Sequence, residues 1–296
     1  MNAFFALTLS PLLLGIVNKT KAFFAGRQGP PLLQVYWDVW KLLRKGATYS
    51  RTTTWVFRAG PMVGLGAIVL AALVVPLGGA PGLLAFPGDV VLVAYLLGLA
   101  RFATMAAALD TGSAFEGMGA SREAQFGALA EPSLFLAVAA LTRATGHFSL
   151  SGIYDNVNGA LWAAHGPALG LVAVAILVVT LAENSRVPVD DPNTHLELTM
   201  IHEVMVLDHG GPDFAFILYG AAIKLWLLGS LLVGVVFPLR VGWFGDGLLS
   251  LVAMGLLGVT IGAIESSMAR LRLYRVPQFL VGAGAMSALA FVLVMK

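Results

Sequence analysis

Of 296 residues, 58% are hydrophobic, and Lys plus Arg number 18 against 16 Asp plus Glu. At about 20 apolar residues per span this is material for about eight transmembrane helices, and the charged share of 11% lies well below the roughly 25% of a soluble domain. An ordinary soluble protein is excluded; so are disulfides, thiolate zinc sites and iron-sulfur clusters held by this chain, because it contains no cysteine. A formal charge of +2 is no argument for nucleic acid, since basic residues in such a chain first report orientation.

In chain order, apolar stretches fall at about residues 2–18, 59–77, 89–110, 126–146, 166–184, 214–238, 247–268 and 277–295. Backbone groups in lipid must be satisfied within the segment, so each is read as a helix. The first has room to extend to Phe24. It lacks the charged start and small-residue cleavage site of a signal peptide and is read as a retained span. The expectation is an all-α polytopic membrane protein, a single integral membrane domain over residues 1–296 with a cytoplasmic amphipathic helix and an acidic fifth loop.

Alternate loops differ in charge. Loop one (18–58) carries Lys19, Lys21, Arg27, Lys41, Arg44, Lys45, Arg51 and Arg58; loops three, five and seven add Arg122, Arg186, Arg270, Arg272 and Arg275. The other side has Arg240 and Lys296, with Arg143 near a span end. The odd loops are therefore expected in the cytoplasm and both termini outside, across an inner (cytoplasmic) membrane. Within loop one, Leu32, Leu33, Tyr36, Trp40 and Leu43 recur at helical spacing, while Gln34, Asp38, Lys41 and Lys45 occupy other positions. This reads as an amphipathic helix at the membrane surface, with Trp37 and Trp40 at headgroup level. A plain anchor and a docking surface for a soluble partner both fit it.

Ionisable residues inside spans cost several kcal/mol unless they meet water, a partner charge or the bundle interior. Asp110, Glu131, Glu183 and Glu265 lie in or at the ends of spans, and Arg101 and Lys224 also fall in apolar surroundings. A polar seam is expected. It serves either structural pairing or a proton relay, because burial raises a carboxyl pKa and a neighbouring cation lowers it. Glu265 and Asp110 are near enough to span ends to reach water.

Loop five, from Glu183 to Asp213, holds seven acids and one base, Arg186. Asp191-Pro192 looks like a helix start, an acid at the N-cap and proline in the first turn. On the helix expected next, Leu196, Met200, Ile201, Val204 and Met205 form an apolar face, and His195 and His202 share one side. The zincin pattern fails, because the fourth residue after His202 is Val206. Histidine titrates near neutrality, so His195, Glu197, His202 and Glu203 are candidates to pass protons toward Glu183 and Glu131; loop-stabilising hydrogen bonds are the alternative. No phosphate-binding glycine loop, nucleophile elbow or cofactor box is present.

Several motifs together resemble the complex I subunit 1 family, and within it the hydrogenase branch of formate hydrogenlyase and other energy-converting group 4 nickel-iron hydrogenases. They are Gly29-Pro30 with Leu32-Leu33-Gln34, Asp38 and Lys41-Leu42-Leu43; Gly119-Ala120-Ser121-Arg122-Glu123-Ala124 leading to Glu131-Pro132; and Glu183-Asn184-Ser185-Arg186-Val187-Pro188-Val189-Asp190-Asp191-Pro192, continuing through His195-Leu196-Glu197-Leu198 and His202-Glu203. The resemblance covers essentially the whole chain. It implies a non-catalytic subunit that couples electron transfer in a soluble arm to proton or sodium translocation. Iron-sulfur clusters and a nickel-iron centre belong on partners, which are the soluble hydrogenase large and small subunits and antiporter-like membrane subunits.

Carried over by position, Glu131, Glu183 and Glu197 match acids of the family's path, Asp38 matches the first-loop acid and Arg186 the fifth-loop arginine. With Asp110, Glu203, His195, His202 and Lys224 these acids make the candidate path. Arg27, Asp38, Lys41, Arg186, Asp190 and Asp191 are candidates for arm contact. Quinone-reducing members resemble one another in a Pro-Phe-Asp-Leu-Pro-Glu run, where this chain has Val189, Asp191 and Asn193 at the variable places. That departure favours the hydrogenase branch over a quinone-binding subunit of a complex I-like dehydrogenase. A passive structural anchor is the third reading, and Glu203 is out of register with the later acid of the quinone enzymes.

Overall fold

The structure, a computed structural model, describes residues 1–190, 200–238 and 242–295. Its helices are α1 (Asn2–Phe24), α2 (Gln34–Leu43), α3 (Trp55–Val74), α4 (Asp89–Asp110), α5 (Ala114–Thr145), α6 (Leu150–Asn156), α7 (Gly159–Glu183), α8 (Gly211–Val236), α9 (Trp243–Ser267) and α10 (Val276–Met295). Eight of them, all but α2 and α6, are long and apolar enough to cross a membrane. Each expected span is found, and α1 does run on to Phe24.

Beyond Asp213 in its first turn, α8 carries one charged residue, Lys224, and is apolar on nearly every side; such a helix is stable only inside a bundle. It is the most deeply buried span and lies against α1, α2, α3, α7 and α9. Ile223, Trp226 and Leu227 of α8 meet Leu13, Leu169 and Ile176 in the main core. α3 packs along α4, α4 touches α5, and α10 covers α5 and α7. A second core joins Phe126 and Ala130 of α5 to Val179, Leu280 and two loop-five residues, Val189 and Ile201.

Prolines at 11, 61, 132 and 167 stand inside helices, as membrane spans tolerate when neighbours satisfy the freed carbonyls. Near Pro167, His165 leaves helical geometry (φ −126°, ψ 26°) and kinks α7.

Two expectations are corrected. Residues 114–125 are not loop but the first turns of α5, a helix of 32 residues; at 1.5 Å per residue it is about 48 Å long, beyond the ~30 Å of hydrocarbon. Its polar start stays helical, with Gly119 packed directly against Val204, Ile201 and Met205. In loop five, Asp191, His195, Leu196 and Glu197 lie outside the described residues. Where description resumes, Met200 to His202 are irregular and Glu203–Val206 is a 3-10 turn, not part of an α-helix. The reason is competition for backbone groups. Asp190 accepts the N–H groups of Ile201 and His202, both at 3.2 Å, and Arg122 donates to the Met200 carbonyl at 2.9 Å.

Candidate functional site

The site starts from a repeat on α5. Gly119, Glu123, Gly127 and Glu131 follow one another at four-residue steps. Four residues advance a helix by one turn plus about 40°, so the stripe winds slowly around α5. Glu123 is buried, whereas the Glu131 side chain, two steps on, is 42% exposed on the outer flank of the bundle.

Gly127, between them, leaves the space that the Arg101 guanidinium of α4 occupies; a Cβ there would collide with Nη1. Arg101 therefore reaches three carboxylates. Nη1 donates to Glu131 Oε1, Nη2 to Glu183 Oε1, and Nε stands 3.2 Å from Glu123 Oε1. The second Glu183 oxygen lies 2.8 Å from Lys224 Nζ. Arg101 is 12 residues from the start of α4 and Lys224 12 residues from the end of α8, which sets both about 18 Å in from the helix ends that are opposite loop five. This is hydrocarbon depth, where an unpaired charge is costly.

From Glu123 the network turns toward the loops. Its Oε2 lies 3.1 Å from His202 Nε2, His202 Nδ1 lies 3.6 Å from Asp190 Oδ2, and Arg270 donates to Asp190 Oδ1 at 2.8 Å. Four acids, Glu131, Glu183, Glu123 and Asp190, thus alternate with four cations, Arg101, Lys224, protonated His202 and Arg270. Burial works against a charged His202, but the Glu123 charge and the Asp190 hydrogen bond outweigh it and push its pKa up to about 9. Burial also opposes ionisation of Asp190, yet the His202 bond and charge, with Arg270, hold its carboxyl below the usual range.

Sequence reasoning reached Glu131, Glu183, Lys224 and His202, and the structure joins all four. It missed the bridging acid Glu123 and the terminal cation Arg270; the signal for Glu123 was its four-residue spacing through Gly127 to Glu131. Asp110 is elsewhere. It caps α3, accepting from Thr54 N at 2.7 Å, Thr54 Oγ1 at 2.8 Å and Phe57 N at 3.2 Å.

Glu265 does not reach water. Its side chain is wholly enclosed, 2.8 Å from Lys21 Nζ and 3.2 Å from Arg186 Nη1. Arg186 and Asp190, expected at the arm, are buried and turned inward. Their backbones close the turn after α7, where the Arg186 carbonyl accepts Val189 N at 2.9 Å and Asp190 N at 3.2 Å. Asp191, His195 and Glu197 are outside the described residues. Arg27 and Lys41 are exposed, and half-buried Asp38 accepts from Gln34 Nε2 at 2.8 Å.

A cleft of about 300 Å³ opens between α3, α4 and α8 onto this network. Pro61, Leu65, Ile68, Phe214 and Ile217 line its apolar part, and Arg101, Glu123, Glu183, His202, Glu203 and Lys224 close its back. Apart from it, His209 is stacked on Phe57, ring centroids 4.0 Å apart and planes 8° from parallel. Burial holds its pKa below the ordinary value, against the pull of Asp213 and Asp208.

A family model described as NADH dehydrogenase matches residues 1–296. Formate hydrogenlyase subunit 4 of Escherichia coli (strain K12) is 31% identical over 304 residues, covering 99% of this chain and 96% of that protein. Hydrogenase-4 component C of the same organism is 30% identical over 238 residues, covering 80% of this chain and 74% of its own length. Among solved structures, a chain of the membrane-bound sulfane sulfur reductase, an archaeal respiratory membrane complex, superposes with a TM-score of 0.82 at 22% identity, over 99% of this chain and 96% of that one.

Proposed function

Because this chain belongs to the NADH dehydrogenase family, of the complex I subunit 1 type, we propose that it is the membrane anchor and ion-coupling subunit of a hydrogenase-type respiratory complex. The observation that carries the reading is the unbroken alternation of acid and base from Arg270 at loop seven to Glu131 on the flank of the bundle. One end lies among the basic loops, which we assign to the cytoplasm and to a soluble arm. The other faces sideways within the membrane, where a half-exposed carboxyl needs a neighbouring subunit to cover it. The chain has no cysteine, so iron-sulfur and nickel-iron centres are assigned to partner subunits.

Coupling follows from charge balance. Loss of the His202 proton, or a shift of charge in an arm beside it, removes the cation next to Glu123. Glu123 then competes harder for Arg101, and the hold of Arg101 on Glu183 and Glu131 weakens. Glu131, at the outer end of the network, is then the group placed to exchange a proton with a membrane neighbour. Glu183→Gln and Glu131→Gln, made in the assembled complex, are expected to lower coupled ion movement at least about tenfold, about 1.4 kcal/mol on the transfer step, with the soluble subunits still attached. Undiminished translocation in both variants would refute the relay.

The cleft supports a second reading, a seat for a quinone, since it combines an apolar mouth with a charged end. Turnover that depends on added quinone and is lost on Phe214→Trp would favour it; hydrogenase-type turnover indifferent to quinone would discard it.

A further inference from the structure

Helix α2 has three faces, and only one is accounted for by the bundle. Val35 is buried and Val39 packs against the core. Gln34, Asp38, Lys41 and Lys45 form a polar stripe, and Leu33, Trp37, Trp40 and Arg44 form the third. On that stripe Leu33, Trp37 and Trp40 are about half exposed, with Leu32 and Leu43 beside them. The Arg44 guanidinium lies over the Trp40 ring, 4.4 Å from its centroid.

The depth of this face follows from how the chain turns back after α1. Gly29 packs on Ala22, the Leu32 carbonyl sits against Gly15, and the Tyr36 hydroxyl donates to the Thr8 carbonyl. Gly15 and Thr8 precede the end of α1 at Phe24 by 9 and 16 residues, about 13 and 24 Å. Leu32 and Leu33 therefore lie alongside the middle of a membrane span, and Trp37 and Trp40 follow one and two turns nearer the basic end, where Gly46 meets Gly211 at the start of α8. A soluble protein does not reach that level; lipid does. The helix ends in Lys41, Arg44 and Lys45, all exposed. None has a carboxylate partner among the described residues, and the single acid of α2, Asp38, is engaged by Gln34.

We propose that this face of α2 is a seat for an anionic phospholipid of the leaflet at the basic end. Leu33, Trp37 and Trp40 take the acyl chains and glycerol region, as indole rings do at the headgroup boundary. Arg44, held over the Trp40 ring, presents its donors to the phosphate with Lys41 and Lys45 beside it. The basic residues of α2 thereby bind lipid as well as complementing the helix C-terminus.

The test uses the full-length chain purified in detergent, exchanged against equal amounts of dioleoyl phosphatidylglycerol and dioleoyl phosphatidylcholine and weighed by native mass spectrometry. Retention should favour phosphatidylglycerol, and the Lys41→Gln/Arg44→Gln/Lys45→Gln variant, altered only at exposed positions, should lose that preference by about fivefold per cation removed. Arg272→Gln/Arg275→Gln, which also removes charge from the basic end, should keep it. Equal retention of the two lipids, an unaltered preference in the α2 variant, or an equal loss in the loop-seven variant overturns the proposal. So does loss of soluble subunits from the intact complex with lipid retention unchanged, which would assign the face to protein.

Discussion

His202 and His209 are seven residues apart and are pushed in opposite directions by their surroundings. His202 stands between two carboxylates and gains a proton on folding; His209 is stacked on Phe57 and loses affinity for one. A raised histidine contributes stability that is complete below its unfolded value of 6.5 and is lost as pH rises through about 9. A depressed one contributes above 6.5 and loses that contribution as pH falls through its folded value. Imidazole nitrogen shifts in the histidine-labelled chain, assigned with His202→Gln and His209→Gln, should therefore show one ring still protonated near pH 8 and another that takes up its proton only below the ordinary histidine value of 6.5. Two rings titrating together near 6.5 would remove His202 from the charged network.

At the scale of the element, α5 shows how one helix serves both sides of the network. Its stripe of Gly119, Glu123, Gly127 and Glu131 gives loop five a flat bed, puts one acid inside, opens a slot for Arg101 and delivers the second acid to the flank. Gly127→Ala adds a single methyl group to a position already filled by the guanidinium. Overpacking of this kind costs about 1–3 kcal/mol, and thermal unfolding in detergent should show it. Because Arg101 is displaced from its three acids, the loss should shrink when the acids are protonated at low pH. A variant as stable as the parent at every pH would mean that Arg101 has other room to move.

For the whole molecule, the informative asymmetry is between a network closed at the loops and open at the flank. Arg270 and His202 are mostly covered, at 19% and 24% side-chain exposure, whereas Glu131 is at 42%. An acid at that depth facing lipid is expensive, so the α4–α5 flank should be covered in the assembled complex. A hydrophobic carbodiimide, which attacks carboxyl groups from the lipid phase, should modify Glu131 in the isolated chain and be excluded from it in the complex. Equal modification in both would leave that flank facing lipid and remove the lateral end of the relay.

How much of this was readable beforehand differs by kind. Every span is legible in the sequence, and so are Glu131, Glu183, Lys224 and His202 as ionisable residues, which the structure brings into one network. Glu265 sits near a span end and reads as able to reach water, but it is enclosed by Lys21 of α1 and Arg186 after α7; Asp110, in the same kind of position, does stand at the surface, where it caps α3. Nothing local distinguishes an acid that reaches water from one closed in by a cation 79 positions away. The helix expected after Asp191 fails in its described part for the same reason, since Asp190 and Arg122 take the backbone groups it would have used.

What the amino-acid sequence determined by itself is the set of spans, the concentration of basic residues on alternate loops and the stock of ionisable groups that could not face lipid. These follow from transfer free energies summed over contiguous residues, a local property. Which acid meets which base was decided only by the tertiary structure. Arg101 meets Glu123, Glu131 and Glu183 because α4 and α7 both pack on α5, where Gly127 leaves room for the guanidinium to reach the end of α7, and pairing at hydrocarbon depth depends on distances of a few ångströms between segments far apart in the chain.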